Sequence, residues 1–213
     1  MKKFLMCLLL LTVSVAFADQ YDKWVDETVK VLITKEERDA FKKLKTNEEK
    51  DKFMADFWTK RDPSPGTPEN EFKTEYETRL KTVTEKITGG QRRPADTDMG
   101  KAVLLLGNPS DSKKEEGEPP KQTWTWTGLP KEMGVGDPVI KFVGDEEQGG
   151  FKFDDPKAAN DTLDKARTYF SKLSTVAQAQ APAASLTHEA KPSTVAHPTA
   201  VAVTTPELKS ALD

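Results

Sequence analysis

The stretch that decides the fold is Thr123-Trp124-Thr125-Trp126-Thr127, in which large aromatic and small polar residues alternate strictly. In an extended chain, successive side chains point to opposite faces, so the two tryptophans share one face and the threonines take the other. This pattern predicts a half-buried β-strand. Two further runs, 139–143 and 151–153, predict strands joined by a Gly/Asp/Glu-rich turn, as in a β-hairpin.

A continuous apolar run precedes these strands. Residues 102–106 read Ala-Val-Leu-Leu-Leu and are bounded by Gly100 and Gly107. A strand that is buried on both faces has this composition, so we predict a fourth strand here. The charged run 113–118 that follows is interpreted as a solvated loop between strands.

Helical spacing dominates the chain before residue 88. Thr34 with Glu37, and Thr46 with Glu49, form two capping-box pairs that predict the starts of a second and a third helix. The first helix is predicted from a stripe at spacings of three and four, and the second and third are predicted to carry stripes of their own. These stripes are Tyr21, Trp24, Val25, Val29 and Leu32; Phe41 and Leu44; and Phe53, Met54, Phe57 and Trp58.

Two more helices complete the predicted fold. Thr67 is expected to cap a fourth helix that starts at Pro68 and ends at Gly89-Gly90, because proline is favoured at the first helical position and glycine after the last. Asp155 is expected to cap a closing helix that begins at Pro156. The sequence therefore predicts an α+β domain: N-terminal helices, a small antiparallel sheet of about four strands, and a closing helix.

The first eighteen residues predict an export signal. Two lysines precede an apolar run, and Ala16-Phe17-Ala18 gives the small-x-small pattern for cleavage between Ala18 and Asp19. The apolar run is about a dozen residues, well short of the roughly 20 that span a bilayer. We therefore expect a periplasmic or secreted protein without a membrane span after the signal is removed. The single cysteine of the sequence, Cys7, lies within this signal, so we expect neither disulfides nor a Cys-ligated metal.

The domain is predicted to cover residues 19–176. Residues 177–204 are rich in Ala, Pro and Thr and poor in large apolar side chains, which predicts a disordered linker. Residues 205–213 begin with a helix cap and a proline and carry a small apolar stripe. They predict a short terminal helix that docks on a partner, or else a frayed end.

The region from about residue 21 to 154 resembles the GWxTD-domain proteins, a family of exported bacterial proteins of unassigned activity. The naming motif is degraded: Pro94-Ala95 stands where the family has Gly-Trp, while Thr97-Asp98 is retained. The resemblance implies the same fold and export, and it implies no activity. It is carried by Trp24, Ile33-Thr34, Glu37, Phe41, Leu44, Phe53, Phe57-Trp58, Arg61-Asp62-Pro63, Pro65, Thr67, Asn70-Glu71-Phe72, Arg79, the stretch from Gly100 to Asp111, Trp126, Phe142-Val143 and Gly150-Phe151.

Charged residues cluster around the predicted fourth helix. Glu71, Glu75 and Arg79 share one helical face and lie close in sequence to Arg61-Asp62. The two carboxylates are candidates for acid–base catalysis or for binding a hard cation. The preferred interpretation is an Arg–carboxylate network that fixes the Pro-rich turn against the helix.

The two histidines, one acidic pair and two tryptophans are further candidates for a functional site. His188 and His197 lie in the linker, where nothing fixes their orientation, which argues against a Ser-His-Asp hydrolase and a His-ligated zinc. Asp98 with Glu71 is the pair to test for a carboxylate-only glycosidase. Trp124 and Trp126 are either a platform for sugar rings or, as preferred, the core face of a strand.

These observations favour an exported, non-enzymatic module that binds a protein or glycan partner of the bacterial envelope. The alternative is a carboxylate-dependent hydrolase that acts on cell-wall or polysaccharide material. A net charge of −3, with both signs well mixed, is unlike the basic surface of nucleic-acid-binding proteins. No cofactor or metal is expected, and the oligomeric state stays open.

Overall fold

The computed structural model describes residues 20–147 and 149–180, which form an α+β domain as predicted. Its helices are α1 (Trp24–Thr28, a π-helical turn), α2 (Lys35–Phe41), α3 (Asn47–Thr59), α4 (Glu71–Lys86), α5 (Asp98–Leu106), α6 (Pro156–Phe170) and α7 (Leu173–Gln180). Its strands are β1 (Asp111–Glu115), β2 (Lys121–Thr125), β3 (Val139–Gly144) and β4 (Phe151–Phe153). Two 3₁₀ turns lie at Pro94–Asp96 and Lys131–Met133.

Both predicted capping boxes are confirmed. The hydroxyl of Thr34 accepts from the backbone N–H of Glu37 at 3.2 Å, and the Glu37 carboxylate accepts from the Thr34 N–H at 2.9 Å. Thr46 and Glu49 repeat this exchange at the start of α3. Each box satisfies two backbone donors that the first helical turn leaves free. The second helix is shorter than expected, because α2 ends at Phe41 and Leu44 packs on the core beyond it.

The predicted start of the fourth helix was wrong. Asn70 caps α4 by accepting from the Lys73 N–H at 2.8 Å, and its side-chain amide donates to the Trp58 carbonyl at 2.7 Å. The Thr67 hydroxyl instead donates to carbonyls within the preceding turn, so it does not cap the helix. The helix also ends at Lys86, before the predicted stop at Gly89-Gly90.

The predicted strand at 102–106 was also wrong, because these residues belong to helix α5. Thr97 caps this helix: its hydroxyl accepts from the Gly100 N–H at 3.0 Å. A Cβ at Gly100 would lie 2.0 Å from the Pro94 carbonyl oxygen, so this turn requires glycine. Helix α5 packs against α4, α6 and β4 and buries seven of its nine residues. A helix enclosed in this way is apolar all round, and a short apolar run therefore does not distinguish it from a buried strand.

The sheet is antiparallel with strand order β1-β2-β3-β4, and the predicted β3–β4 hairpin is confirmed. Trp124 pairs with Ile140, and Phe142 pairs with Phe153. Strand β1 corrects the interpretation of 113–118 as a loop, since residues 111–115 pair with β2 along their whole length. An edge strand exposed on both faces needs no apolar alternation, which is why its sequence does not reveal it.

Helices α5 and α6 join the helical part to the sheet in one continuous core. Asp155 caps α6 and Pro156 occupies its first position, as predicted. The rings of Phe72 and Phe170, on α4 and α6, lie 4.5 Å apart. Helix α7 then carries regular structure to residue 180, past the expected domain boundary at 176, and the Ser174 N–H donates to the Lys60 carbonyl at 3.0 Å.

Candidate functional site

An open groove lies between α1, α3 and α4. Its volume is about 310 Å³, the lower end of the range for small-molecule pockets. Most of the lining is apolar. Its polar groups come from the last residue of α1 and from α4. The lining residues are Trp24, Thr28, Met54, Ala55, Trp58, Lys73 and Glu77.

The π-helical turn of α1 places one wall of this groove. The Val29 N–H donates to the Trp24 carbonyl at 2.9 Å, a span of five residues that widens the helix. The Tyr76 hydroxyl on α4 donates to the Thr28 carbonyl at 3.1 Å, so the end of α1 is tied to α4. Burial raises the pKa of the Tyr76 phenol, so the hydroxyl stays protonated and able to donate even well above neutral pH. Single π-helical turns of this kind are frequent at functional sites.

The floor of the groove is held by aromatic packing. The Trp24 ring lies 5.1 Å from Phe57 and 5.6 Å from Phe41, measured between ring centroids. Phe57 in turn meets the Trp58 ring at 5.2 Å with the planes nearly perpendicular. Pairs with such geometry add about 1 kcal/mol each beyond the buried area. The two tryptophans are therefore fixed in place before any ligand arrives.

The rim of the groove carries one charge of each sign. The Lys73 ammonium lies 5.8 Å from the centroid of the Trp58 ring, within range of a cation–π contact. It is 3.9 Å from the Glu77 carboxylate, at the outer limit of an ion pair, and both side chains are about half exposed. An exposed pair of this length contributes little to stability, so both groups are available to an incoming ligand.

Arg61 has a structural partner that the sequence did not indicate. Its guanidinium is fully buried, donates to both carboxylate oxygens of Glu37 at 2.9 and 2.7 Å, and stacks on the Phe57 ring at 3.5 Å. Burial lowers the pKa of this guanidinium, and the Glu37 carboxylate opposes that effect. Because Glu37 also closes the capping box of α2, the pair fastens α2 to the end of α3.

Of the expected network around the fourth helix, the Arg79–Glu75 pair forms, but Arg61 does not join it. Arg79 pairs with Glu75 and donates to the Leu104 carbonyl at 3.3 Å, which ties α4 to α5. Glu71 instead accepts from the Thr67 hydroxyl, and Asp62 accepts from the Ser64 N–H within the Pro-rich turn. These side chains hold separate local contacts, because Arg61 points to Glu37 and not to α4.

Asp98 links the start of α5 to the sheet. Its two carboxylate oxygens accept from the Phe153 N–H at 3.0 Å and from the Lys101 ammonium at 2.9 Å, and the side chain is 16% exposed. Glu71 is exposed at the start of α4, beside Thr67. The contacts within the described residues therefore favour a structural role for both acids, and the hydrolase alternative stays a prediction without support from them.

The interpretation of Trp124 and Trp126 as a glycan platform was wrong. Their exposed fractions are 0% and 1%, and the Trp126 indole donates to the Gly107 carbonyl at 3.0 Å. The Trp124 ring lies 4.8 Å from Phe142 inside the core. A sugar ring cannot reach either indole face, and the preferred prediction of a core strand is confirmed.

Several predicted features lie outside the described residues. They are the signal with Cys7 and its cleavage site at Ala18 and Asp19, both histidines, and residues 181–213 of the linker and terminal segment. Within residues 20–147 and 149–180, no three His, Cys, Asp or Glu side chains come together as a metal site would require. Over the same residues, no helix has the length and apolar character to cross a bilayer.

Comparisons with protein-family models, with curated proteins and with solved structures found no match to this chain. The resemblance to the GWxTD-domain proteins therefore stays a prediction. Thr97 caps α5 and the Asp98 carboxylate accepts from the β4 backbone, so the two residues that the resemblance compares with the naming motif have a structural role in this chain.

Sequence reasoning missed the groove itself. Trp24, Met54 and Trp58 were assigned to helical stripes, and Lys73 and Glu77 were not singled out. The apolar stripe of α3 and the tryptophan of α1 indicate a buried face, but they do not indicate where a groove opens beside it.

Proposed function

We propose that this protein is an exported, non-enzymatic module of the bacterial envelope that binds a protein partner through the α1–α3–α4 groove. The observation that carries the proposal is the groove, an open concavity above a closely packed aromatic floor. Concave sites that are lined mainly by apolar side chains and carry a few polar groups are where proteins usually bind their ligands. The predicted signal at residues 1–18 supports the assignment to the envelope.

The chemistry of the groove favours a protein partner over a glycan. Stacking on a sugar requires an exposed aromatic face, whereas Trp24 and Trp58 are only 7% and 9% exposed. The accessible lining includes Met54 and Ala55, and methionine adapts its shape to varied apolar side chains. The volume suits one or two leucine-sized or aromatic side chains from a partner.

The contacts of the acidic residues support a non-enzymatic role. Asp98 and Glu75 each pair with a cation, and Glu37 is committed to Arg61 and to the α2 cap. General acid–base catalysis needs a carboxylate that can exchange its proton with a substrate. These three carboxylates are instead engaged in contacts that stabilise the fold.

Site-specific photo-crosslinking tests the proposal. Benzoyl-phenylalanine is introduced at Ala55, an exposed groove residue, and in a matched control at Ala158, an exposed residue of α6 outside the groove. After irradiation of intact cells, we expect a discrete protein adduct at position 55 that is at least about ten-fold stronger than at position 158. Thermal unfolding of both variants verifies that the domain is folded.

Two results would contradict the proposal. Equal adducts at the two positions would mean that the groove is not a binding surface. A saccharide adduct at position 55, identified by mass spectrometry after glycosidase treatment, would replace the protein partner by a glycan.

A further inference from the structure

We infer that two copies of this chain pair edge to edge through strand β1, in an antiparallel register centred on Ser112. The inference goes beyond the proposed function, because β1 shares no residue with the α1–α3–α4 groove. Three features of the sheet support it. One edge is open, the backbone of that edge can pair with a second strand, and its charges fit a second copy in one register.

The two edges of the sheet differ. At the β4 edge, helix α5 packs against the strand, and the Phe153 N–H donates to the Asp98 carboxylate at 3.0 Å. At the opposite edge, four of the five residues of β1 are exposed, and β2 is the only strand beside it in the part of the chain that the structure describes. One covered edge and one open edge allow a closed pair of sheets that does not grow further.

The backbone of β1 can hydrogen-bond to a second strand at its even-numbered residues. The Gly144 N–H of β3 donates to the Pro120 carbonyl, directly before β2, at 2.8 Å, so the even-numbered residues of β2 bond to β3. The odd-numbered residues of β2 therefore bond to β1, and they lie opposite odd-numbered residues there. The N–H and carbonyl of Ser112 consequently point to the open edge, where two copies of this residue can exchange a pair of hydrogen bonds.

The charges of β1 select the register. When Ser112 lies opposite its own copy, Asp111 of each chain lies opposite Lys113 of the other. Both side chains are exposed, and neither forms an ion pair with another described residue. Opposed residues that do not share backbone hydrogen bonds have the closest side chains, so two ion pairs can flank the central serines.

The other symmetric registers of β1 are disfavoured. A register centred on Lys113 or on Lys114 would place two lysines directly opposite each other, which destabilises strand pairing. Lysines on an edge strand usually prevent edge-to-edge association for this reason. Only the register centred on Ser112 sets Lys113 against a carboxylate. Because so short a strand buries little surface, we expect a weak dimer that forms at high protein concentration.

A charge exchange between two variants tests the inference. Asp111→Lys and Lys113→Asp each place like charges opposite one another in a homodimer, whereas a mixture of the two variants restores both opposed pairs. Sedimentation velocity at up to about 1 mM protein measures the association. We expect the parent protein to dimerise and each variant alone to associate at least about ten-fold more weakly. The equimolar mixture should return to within about three-fold of the parent.

Matched controls change the net charge by the same amount and leave β1 intact. Lys157→Asp and Asp161→Lys alter exposed residues of α6, and both should associate as the parent does. Thermal unfolding midpoints verify that every variant is folded.

Recovery in the mixture, but in neither variant alone, would support pairing through β1 in this register. A parent protein that stays monomeric over the whole concentration range would overturn the inference. Variants that dimerise as strongly as the parent, or a mixture that stays monomeric, would overturn it as well. None of these results bears on the groove, so the proposed function is tested separately by its photo-crosslinks.

Discussion

The helical layer and the sheet share one core but are stabilised in different ways. Among the helices, the fully buried cation Arg61 lies against the Phe57 ring and is paired with Glu37. On the core face of the sheet, the buried side chains are uncharged aromatic residues. Trp124 packs on Trp126 and Phe142 there. The helical layer therefore adds one specific buried ion pair to its aromatic packing, whereas the core face of the sheet relies on filled volume.

The largest effect is expected in the sheet. Trp124→Ala removes a fully buried indole and leaves a cavity, which should cost about 4 kcal/mol of unfolding free energy. Thr123→Ala, on the opposite face of β2, is the control and should cost less than about 1 kcal/mol. Urea unfolding followed by fluorescence measures both. Similar costs for the two variants would contradict the assignment of the tryptophan face to the core.

The buried pair in the helical layer should give the next largest effect. Arg61→Ala leaves the Glu37 carboxylate without its cation, and we expect a loss of about 3 kcal/mol. Adding Glu37→Gln should recover about 1 kcal/mol, since glutamine carries no charge and can still close the capping box. A double-mutant cycle by urea unfolding measures this coupling.

If the effects of the two substitutions were additive, the double-mutant cycle would contradict the proposed difference between the helical layer and the sheet. In that case Glu37 would not respond to the loss of Arg61, and the pair would contribute no more than two independent side chains. The helical layer would then rely on packing alone, as the sheet does.

The smallest effect concerns the acid side of the pH profile. Backbone N–H groups of Thr46 and Lys45 donate to the Glu49 carboxylate and lower its pKa. A carboxyl whose folded pKa lies below its unfolded value of about 4.3 adds stability above that value. This stability is lost as the pH falls through the folded pKa. Glu49→Gln should therefore lower stability near neutral pH and leave it unchanged near pH 2.

Urea midpoints measured from about pH 2 to pH 7 test this expectation. The profiles of the parent protein and of Glu49→Gln should converge towards acid, because the hydrogen bonds then act on an uncharged group in both. Parallel profiles would show that the charge of Glu49 adds nothing to the cap.

The helical layer was the more predictable part because its signals are local. A capping box joins residues three positions apart, so Thr34 with Glu37 and Thr46 with Glu49 gave the starts of α2 and α3. The start of α4 was missed because Thr67 and Asn70 both suit a cap. In the structure, the Thr67 hydroxyl donates to a carbonyl of that turn. Asn70 instead accepts from a backbone N–H of the first helical turn, so Asn70 is the cap.

The candidate site was less predictable because it depends on contacts between distant residues. Arg61 was expected beside α4, but its carboxylate partner, Glu37, lies 24 residues earlier. The groove combines residues of three helices, and no spacing in the sequence shows which parts of their stripes remain uncovered. Trp124 and Trp126, whose alternation is local, were correctly preferred as core residues.

By itself, the sequence determined the α+β class, the start of three helices and the tryptophan strand, because caps and side-chain periodicity act within a few residues. Only the tertiary structure decided that residues 102–106 are a helix and that residues 111–115 are a strand. The first is enclosed on all sides by α4, α6 and β4, and the second exists through hydrogen bonds to β2. Burial and strand pairing depend on contacts between distant parts of the folded chain, so the local sequence pattern does not predict them.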